Sequence, residues 1–251
     1  MKQYGFKTKK SIADKVKKYY PNDYKQLISK ARKNRKEYSI DLSKIDCEFN
    51  AYFIGLMLSD GYIQDNNKFG LQLTDEDCIK FISEATNNPY HEYRTKNDNF
   101  LPCYRIVFSD LKQRENLKRY GVVSCKSKII QPPQLTKAEK HYVPYILRGI
   151  IDGDGCIYTT SKGSAAFYIC TMSRDFAQWI KEQLEQILFM KDISMHQRHH
   201  GIWIIETALQ SNIFKLIALV YDKPYGMQRK YQKLRKTFRD YNSGNPDFML
   251  D

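Results

Sequence analysis

Two acidic residues, Asp60 and Asp154, each stand before a glycine and close an apolar run: FIGLMLSDG (53–61) and LRGIIDGDG (147–155). Each run carries two small residues four apart, Gly55 and Ser59 in the first, Gly149 and Gly153 in the second. Residues four apart share a helix face. Each run therefore reads as a helix with a smooth stripe that another helix backbone can approach closely, for the steric reason behind small-xxx-small packing. The glycine after each acid suits the left-handed residue that ends many helices. Two such helices packed side by side bring two carboxylates together. Each faces the negative end of its own helix dipole, at a cost of ~0.3–1 kcal/mol, and each repels the other. Such a pair needs a cation. Hard oxygen ligands at an accessible rim suit Mg²⁺, and metal-held carboxylates flanking one position hydrolyse phosphodiesters.

The elements that position these acids follow from the pattern around them. After a helix over 48–60, a hairpin of strands near 61–65 and 69–74 turns at Asn66-Asn67. A helix over TDEDCIKFISEATNN follows, capped by Thr74 or Asp75, then strands near 90–96 and 101–108 and a helix around 110–120. The order then repeats. TDEDCIKFI (74–82) matches MSRDFAQWI (172–180) and RIVFSDL (105–111) matches WIIETAL (203–209), both at an offset of 98, while the two acids lie 94 apart. Two copies at so long a period are a duplication and not a solenoid. The division expected is a basic helical extension over 1–45, a first repeat over 46–125, a linker over 126–140 containing Pro132 and Pro133, a second repeat over 141–240, and a tail over 241–251. Within the extension, helices over 9–20 and 22–37 break at Pro21.

Charge is placed unevenly on the 251 residues, whose formal net charge is +13. Residues 1–45 carry 14 Lys and Arg against 4 Asp and Glu, and residues 223–239 carry seven basic residues and no acid. Basic ends on a near-neutral body suit a polyanion. Six cysteines show no CxxC pair and no zinc spacing with His. No signal-peptide core and no membrane span is legible, which points to a reduced, intracellular setting (a bacterial or phage cytoplasm, or an organelle). The strands offer candidate nucleic-acid readers at even offsets from the acids: Gln64, Asn66 and Lys68, then Tyr158, Thr160 and Lys162. Later strands add Arg94, Lys96, Arg105, His196, Arg198 and His200. A two-stranded ribbon fits the DNA major groove, where all base pairs are distinguishable.

The two acidic runs resemble the paired signature helices of the LAGLIDADG homing endonucleases, in their single-chain, two-repeat form. The second run is close to the family pattern; in the first, Leu58 and Ser59 stand where the family spells Asp and Ala. The resemblance implies an α+β fold of two pseudo-symmetric αββαββα repeats, joined at the signature helices, with saddle-shaped antiparallel sheets for DNA. It implies that Asp60 and Asp154 hold Mg²⁺ (or Mn²⁺), with the carbonyls of Ser59 and Gly153 as further ligands. It also places Gln72 beside the attacking water, matched in the second repeat by Cys170, a poor substitute, and gives Lys126 and Lys230 as basic catalytic residues, with Lys128 and Arg229 as rivals. The expected function is site-specific double-strand DNA cleavage by a monomer acting on a long, asymmetric target. An alternative on the same scaffold is an RNA maturase, with intron RNA as partner, or a DNA-binding regulator without cleavage. Such relatives often lose an acid; here both are kept.

Overall fold

In a computed structural model the chain divides into two compact units, Met1–Glu37 and Tyr38–Asp251. The structure describes residues 17–19, 21–23, 40–64, 67–94 and 101–243, with only the backbone of residue 127. In the first unit Lys17–Tyr19 are helical and 21–23 form a turn. The remainder of the expected helices 9–20 and 22–37 lies outside the described residues, as do Asn66 and Lys96.

The second unit is an α+β body. Its first half runs α1 (Glu48–Ser59), β1 (Tyr62–Gln64), β2 (Lys68–Leu73), α2 (Glu76–Thr86), β3 (Tyr90–Tyr93), β4 (Cys103–Ser109) and α3 (Leu111–Arg119). Its second half runs α4 (Val143–Asp154), β5 (Gly155–Thr159), β6 (Ala165–Thr171), α5 (Arg174–Gln186), β7 (Ser194–Gln197), β8 (Trp203–Thr207) and α6 (Gln210–Leu219), followed by α7 (Gln228–Tyr241). Each half forms one antiparallel four-stranded sheet, ordered β1-β2-β4-β3 and β5-β6-β8-β7. The αββαββα duplication is therefore present twice, with α7 added to the second copy.

Helix α1 is apolar on almost every side, the pattern of a helix enclosed by protein. In α1 every residue from Asn50 to Leu58 is buried. In the strands one face is apolar: Phe69, Leu71 and Leu73 point into the core while Gln72 between them is exposed. This alternation corrects the repeat alignment. Gln72 pairs with Arg105 and Cys170 pairs with Ile204, so β2 and β6 correspond at 98 but β4 and β8 at 99. An offset of 98 throughout would match Arg105, on the outer face, with Trp203, which packs on the core. One residue exchanges the two faces of a strand.

Three further expectations change. Neither Gly61 nor Gly155 is left-handed; Gly155 is extended, at φ −82° and ψ 148°. Each is required because the chain doubles back over its helix: a Cβ on Gly61 would lie 2.5 Å from Met57 Cα, and one on Gly155 2.4 Å from the Ile151 carbonyl oxygen. Asp75 stands at the start of α2 but makes no side-chain cap, because its carboxylate is held by Arg229. The extension also ends earlier than residue 45. Ile40, Leu42 and Ile45 belong to the core, and the amides of Leu42 and Ile45 donate to Gln113 (2.7 Å) and Glu139 (3.0 Å).

Glu139 shows that the expected linker is packed structure. Its buried carboxylate accepts from the amides of Ile45 and Thr136 and the Tyr120 hydroxyl, and pairs with Arg119. Burial opposes its charge, but these donors prevail and hold the carboxyl down at about 2, against an ordinary 4.5. A folded value below the unfolded one gives stability that is present above pH 4.5 and lost as pH falls toward 2. Glu139→Ala is expected to cost about 3–5 kcal/mol at pH 7 and to remove part of the acid limb, read by urea melts between pH 2 and 7.

The unit boundary sets a second test. Deleting residues 1–37 removes 13 basic and 3 acidic residues and should leave the melting of the body intact. Each lost phosphate contact would flatten the slope of log K against log salt by ~0.9 on duplex DNA. Deleting residues 1–45 should instead cost several kcal/mol, since it removes three buried core side chains at ~1.5–3 kcal/mol each.

Candidate active site at the paired helices

Helices α1 and α4 touch backbone to backbone, and the small residues make this possible. A Cβ on Gly55 would lie 2.2 Å from the Ile146 carbonyl oxygen; one on Gly149 would lie 2.3 Å from that of Tyr52. At the far end a Cβ on Gly153 would meet Ser59 Oγ at 2.0 Å and Asp60 Oδ2 at 3.0 Å. Ser59 Oγ donates within its own helix, to Gly55 and Leu56, with Gly149 O across the contact at 3.4 Å. The crossing thus sets the Asp60 carboxylate against the backbone of the residue before Asp154.

The two acids share one electrostatic environment. Burial raises the Asp60 carboxyl, with Lys230 and Lys126 opposing. Burial and then the charge of Asp60 push Asp154 up to about 6, again against Lys126 and Lys230. Asp154 keeps solvent contact, since its side chain opens on a cavity of about 460 Å³ lined also by Ser59, Lys126, Cys170, His200 and Phe176. Among the described residues no group of three or more His, Cys, Asp or Glu could hold a metal. The pair alone fits a hard divalent cation of the Mg²⁺ kind, which takes one or two carboxylates and completes its shell with substrate phosphates and water.

Lys126 and Lys230 occupy matching places under the acids. Lys126 Nζ donates to the carbonyl of Gly61, and Lys230 Nζ to that of Gly155 at 2.5 Å. Lys230 also reaches the last carbonyls of α4, at Ile151 (2.9 Å), Asp152 and Gly153 (3.3 Å). Both lysines are buried, and burial lowers both ammonium values. A cation over the carbonyl end of a helix offsets its dipole, so these side chains hold the strand exits as well as charging the site. Gly153 O, expected as a metal ligand, already accepts from Lys230.

The structure distributes the remaining candidates unevenly. Gln72 lies on the outer face; its Oε1 accepts from Arg105 Nε at 2.9 Å and its Nε2 lies 3.1 Å from Cys103 Sγ. Arg105 stacks over Tyr93 at 4.9 Å. Gln64 pairs with Lys68, Tyr158 with Ala166 and His196 with Ile204, all on the outer faces. Thr160 and Lys162 lie in the β5–β6 turn, where Thr160 Oγ1 contacts Ser164 Oγ at 2.7 Å. Arg198 and His200 lie beyond β7, with His200 at φ 62°. Arg94 departs from the expected face. It follows β3 in the alternation of Tyr90 and Glu92, opposite to Arg105, and its Nε pairs with Glu92 at 2.6 Å. His91 and Tyr93, passed over in the sequence, share the face of Arg105.

The first acid of DGDG was also unread. Asp152 is fully buried and accepts from the Tyr52 hydroxyl (2.8 Å), the Tyr221 hydroxyl (2.6 Å) and the Met227 amide (3.2 Å). It therefore anchors the chain entering α7, and with it Lys230. Two residues before Asp154 is about 200° around the helix, so Asp152 faces away from its neighbour acid. That angle is a signal the sequence does carry.

At the level of sequence no protein-family model matches the chain, and neither does any curated protein sequence. Solved structures do match. The homing endonuclease I-WcaI bound to its DNA recognition sequence superposes with a TM-score of 0.60 at 18% identity, over 83% of this chain and 92% of that one. The LAGLIDADG meganuclease I-AabMI bound to uncleaved DNA gives 0.50 at 12%, over 76% and 89%. Full-length DUF199/WhiA from Thermatoga maritima gives 0.52 at 11%, over 79% of this chain and 63% of that protein. The chain has the LAGLIDADG fold.

The site should be strained by its own charge. A carboxyl raised when folded contributes stability below pH 3.8 that is lost as pH rises through about 6. Asp154→Asn in EDTA should therefore melt higher than the unsubstituted protein at pH 7.5. Discounted for solvent at the cleft, the gain is about 1 kcal/mol, or ~2–4 °C. The difference should vanish near pH 4; equal melting at both pH values would refute the mutual repulsion.

Proposed function

We propose that the protein is a site-specific endonuclease that cuts both strands of a DNA duplex, with Mg²⁺ or Mn²⁺ at Asp60 and Asp154. The observation that carries this reading is the junction of two carboxylates, one from each repeat, at the ends of helices in backbone contact. The divalent ion would supply an activated water and stabilisation of the leaving oxygen. Asp60 and Asp154 would hold it, and Gln72 would orient water from the outer sheet face. Lys126 and Lys230 would keep both acids placed and offset charge developing on the phosphate. The ribbons β1–β2 and β5–β6 would enter the major groove, with Gln64, Lys68, Arg105, Tyr158 and His196 toward DNA. The DNA-bound state of I-WcaI and I-AabMI supports the same partner for this chain.

Target duplexes come from a randomised library incubated with the protein and Mg²⁺, with cut ends sequenced. Asp60→Asn and Asp154→Asn should each bring cleavage below detection while Kd moves by less than about fivefold, under ~1 kcal/mol. Unchanged cutting in either variant would remove the acids from the chemistry. Binding without cleavage by the unsubstituted protein, in Mg²⁺ and in Mn²⁺, would favour the regulator or maturase reading.

A further inference from the structure

The two sheets present different chemistry on the faces turned away from the core. The outer face of the first carries Lys68, Gln72 and Arg105. Strands β5–β8 contain no Lys or Arg. Their one acid is Glu206, and it stands on the outer face. It pairs with Tyr168 of β6 and Ser194 of β7, and its chain neighbours Ile205 and Thr207 are the buried residues of β8 on the opposite face. The corresponding residue of the first sheet is Val107, which pairs with Gly70 as Glu206 pairs with Tyr168. The strand acid of that sheet, Glu92, points the other way, beside Tyr104, which packs on the core. Among the described strand residues Glu206 is therefore the single acid on either outer face.

This carboxylate has acceptor capacity to spare. Its side chain is 28% exposed, and among the described residues its one ion pair is with His196, Nδ1 to Oε1 at 3.8 Å, too long for a hydrogen bond. An ionised carboxylate only accepts. On a face that meets a polyanion it is repelled by phosphate, so a donor from the partner must offset that cost. In the major groove guanine shows two acceptors, and thymine an acceptor and a methyl group. Adenine shows an amine beside the N7 acceptor, which would oppose the second carboxylate oxygen. Cytosine shows its N4 amine alone.

We infer that Glu206 is a specificity-determining residue, which accepts from the N4 amine of a cytosine in the half of the target under the second sheet. The inference rests on the sheet faces meeting DNA, as proposed above, and does not depend on cleavage.

The test is selection of bound duplexes from a randomised library by the full chain, with Ca²⁺ in place of Mg²⁺, followed by sequencing. Melting temperature is recorded for each variant, with Kd on one selected and one unrelated duplex. The unsubstituted protein should prefer cytosine at one position by about tenfold, the scale of a single base-pair mismatch. Glu206→Gln should turn that position toward adenine, which takes an amide through two bonds. Glu206→Ala should lose the preference and bind the selected duplex more weakly. It should also bind the unrelated duplex about two- to fivefold tighter at low salt, the effect of removing one exposed charge. Arg105→Ala, in the first sheet, should relax positions in the other half of the selected sequence. Preferences within twofold of the unsubstituted protein in both Glu206 variants overturn the inference. So does an equal change in His196→Ala, which would make Glu206 a support for His196. If the unsubstituted protein enriches no sequence, the DNA-facing reading of the sheets falls and this inference with it. Enrichment without cutting in Mg²⁺ removes the endonuclease reading alone and leaves Glu206 to be judged by the same preferences.

Discussion

The rest of the molecule depends on the closeness of α1 and α4. Carbonyl oxygens of each helix lie where a side chain of the other would begin, at Gly55 and Gly149. This contact joins the two repeats and defines the cleft at the same time. It also creates the main electrostatic difficulty of the fold, because the ends that meet both carry carboxylates. Two buried lysines answer the difficulty only in part. They satisfy backbone carbonyls at the strand exits, and the acids remain raised. Under the proposed reading that incomplete compensation is what would leave the pair an affinity for a divalent cation.

That core was legible because it is written in small residues and acids at helical spacing, which packing cannot easily disguise. The strand order and the duplication were legible from alternation and from the DEDCIKFI and SRDFAQWI segments. The one-residue shift between β4 and β8 was not, since residue similarity tolerates a single insertion but a pleated face does not. The conformation of Gly61 and Gly155 was misjudged for a related reason. A glycine after a helix indicates that Cβ has no room, and the local sequence does not say whether a left-handed turn or a close backbone is responsible. Here it is the backbone of the preceding turn.

Charged residues were the hardest to place. Arg94 looked like a reader beside Arg105, but the strand pleat assigns them to opposite faces. Asp75 read as a helix cap and Glu139 drew no reading, and each holds distant parts of the chain together through donors far away in sequence. Their roles depend on partners 94 and 154 residues away, information that no local pattern contains. Ile40, Leu42 and Ile45 were missed for the complementary reason: three aliphatics in a basic stretch read as sparse until their neighbours from α3 and the linker are known.

Duplication inside one chain allows the two halves to divide work that identical halves must share. Position 58 is a core leucine in the first signature helix; its counterpart, Asp152, ties α4 to Tyr52, Tyr221 and the start of α7. Only the second repeat carries α7, so only there does an anchor of this kind have something to hold. Arg148 has the same logic. It is fully buried, and its guanidinium donates to carbonyls at Val220 and Lys223 while lying 3.9 Å from the Tyr225 ring. Arg148 and Asp152 together fix the segment that delivers Lys230 to the carbonyls of Gly153 and Gly155, on either side of Asp154. The asymmetry of the cleft therefore begins inside the second signature helix, at two buried charges that touch neither carboxylate of the proposed site.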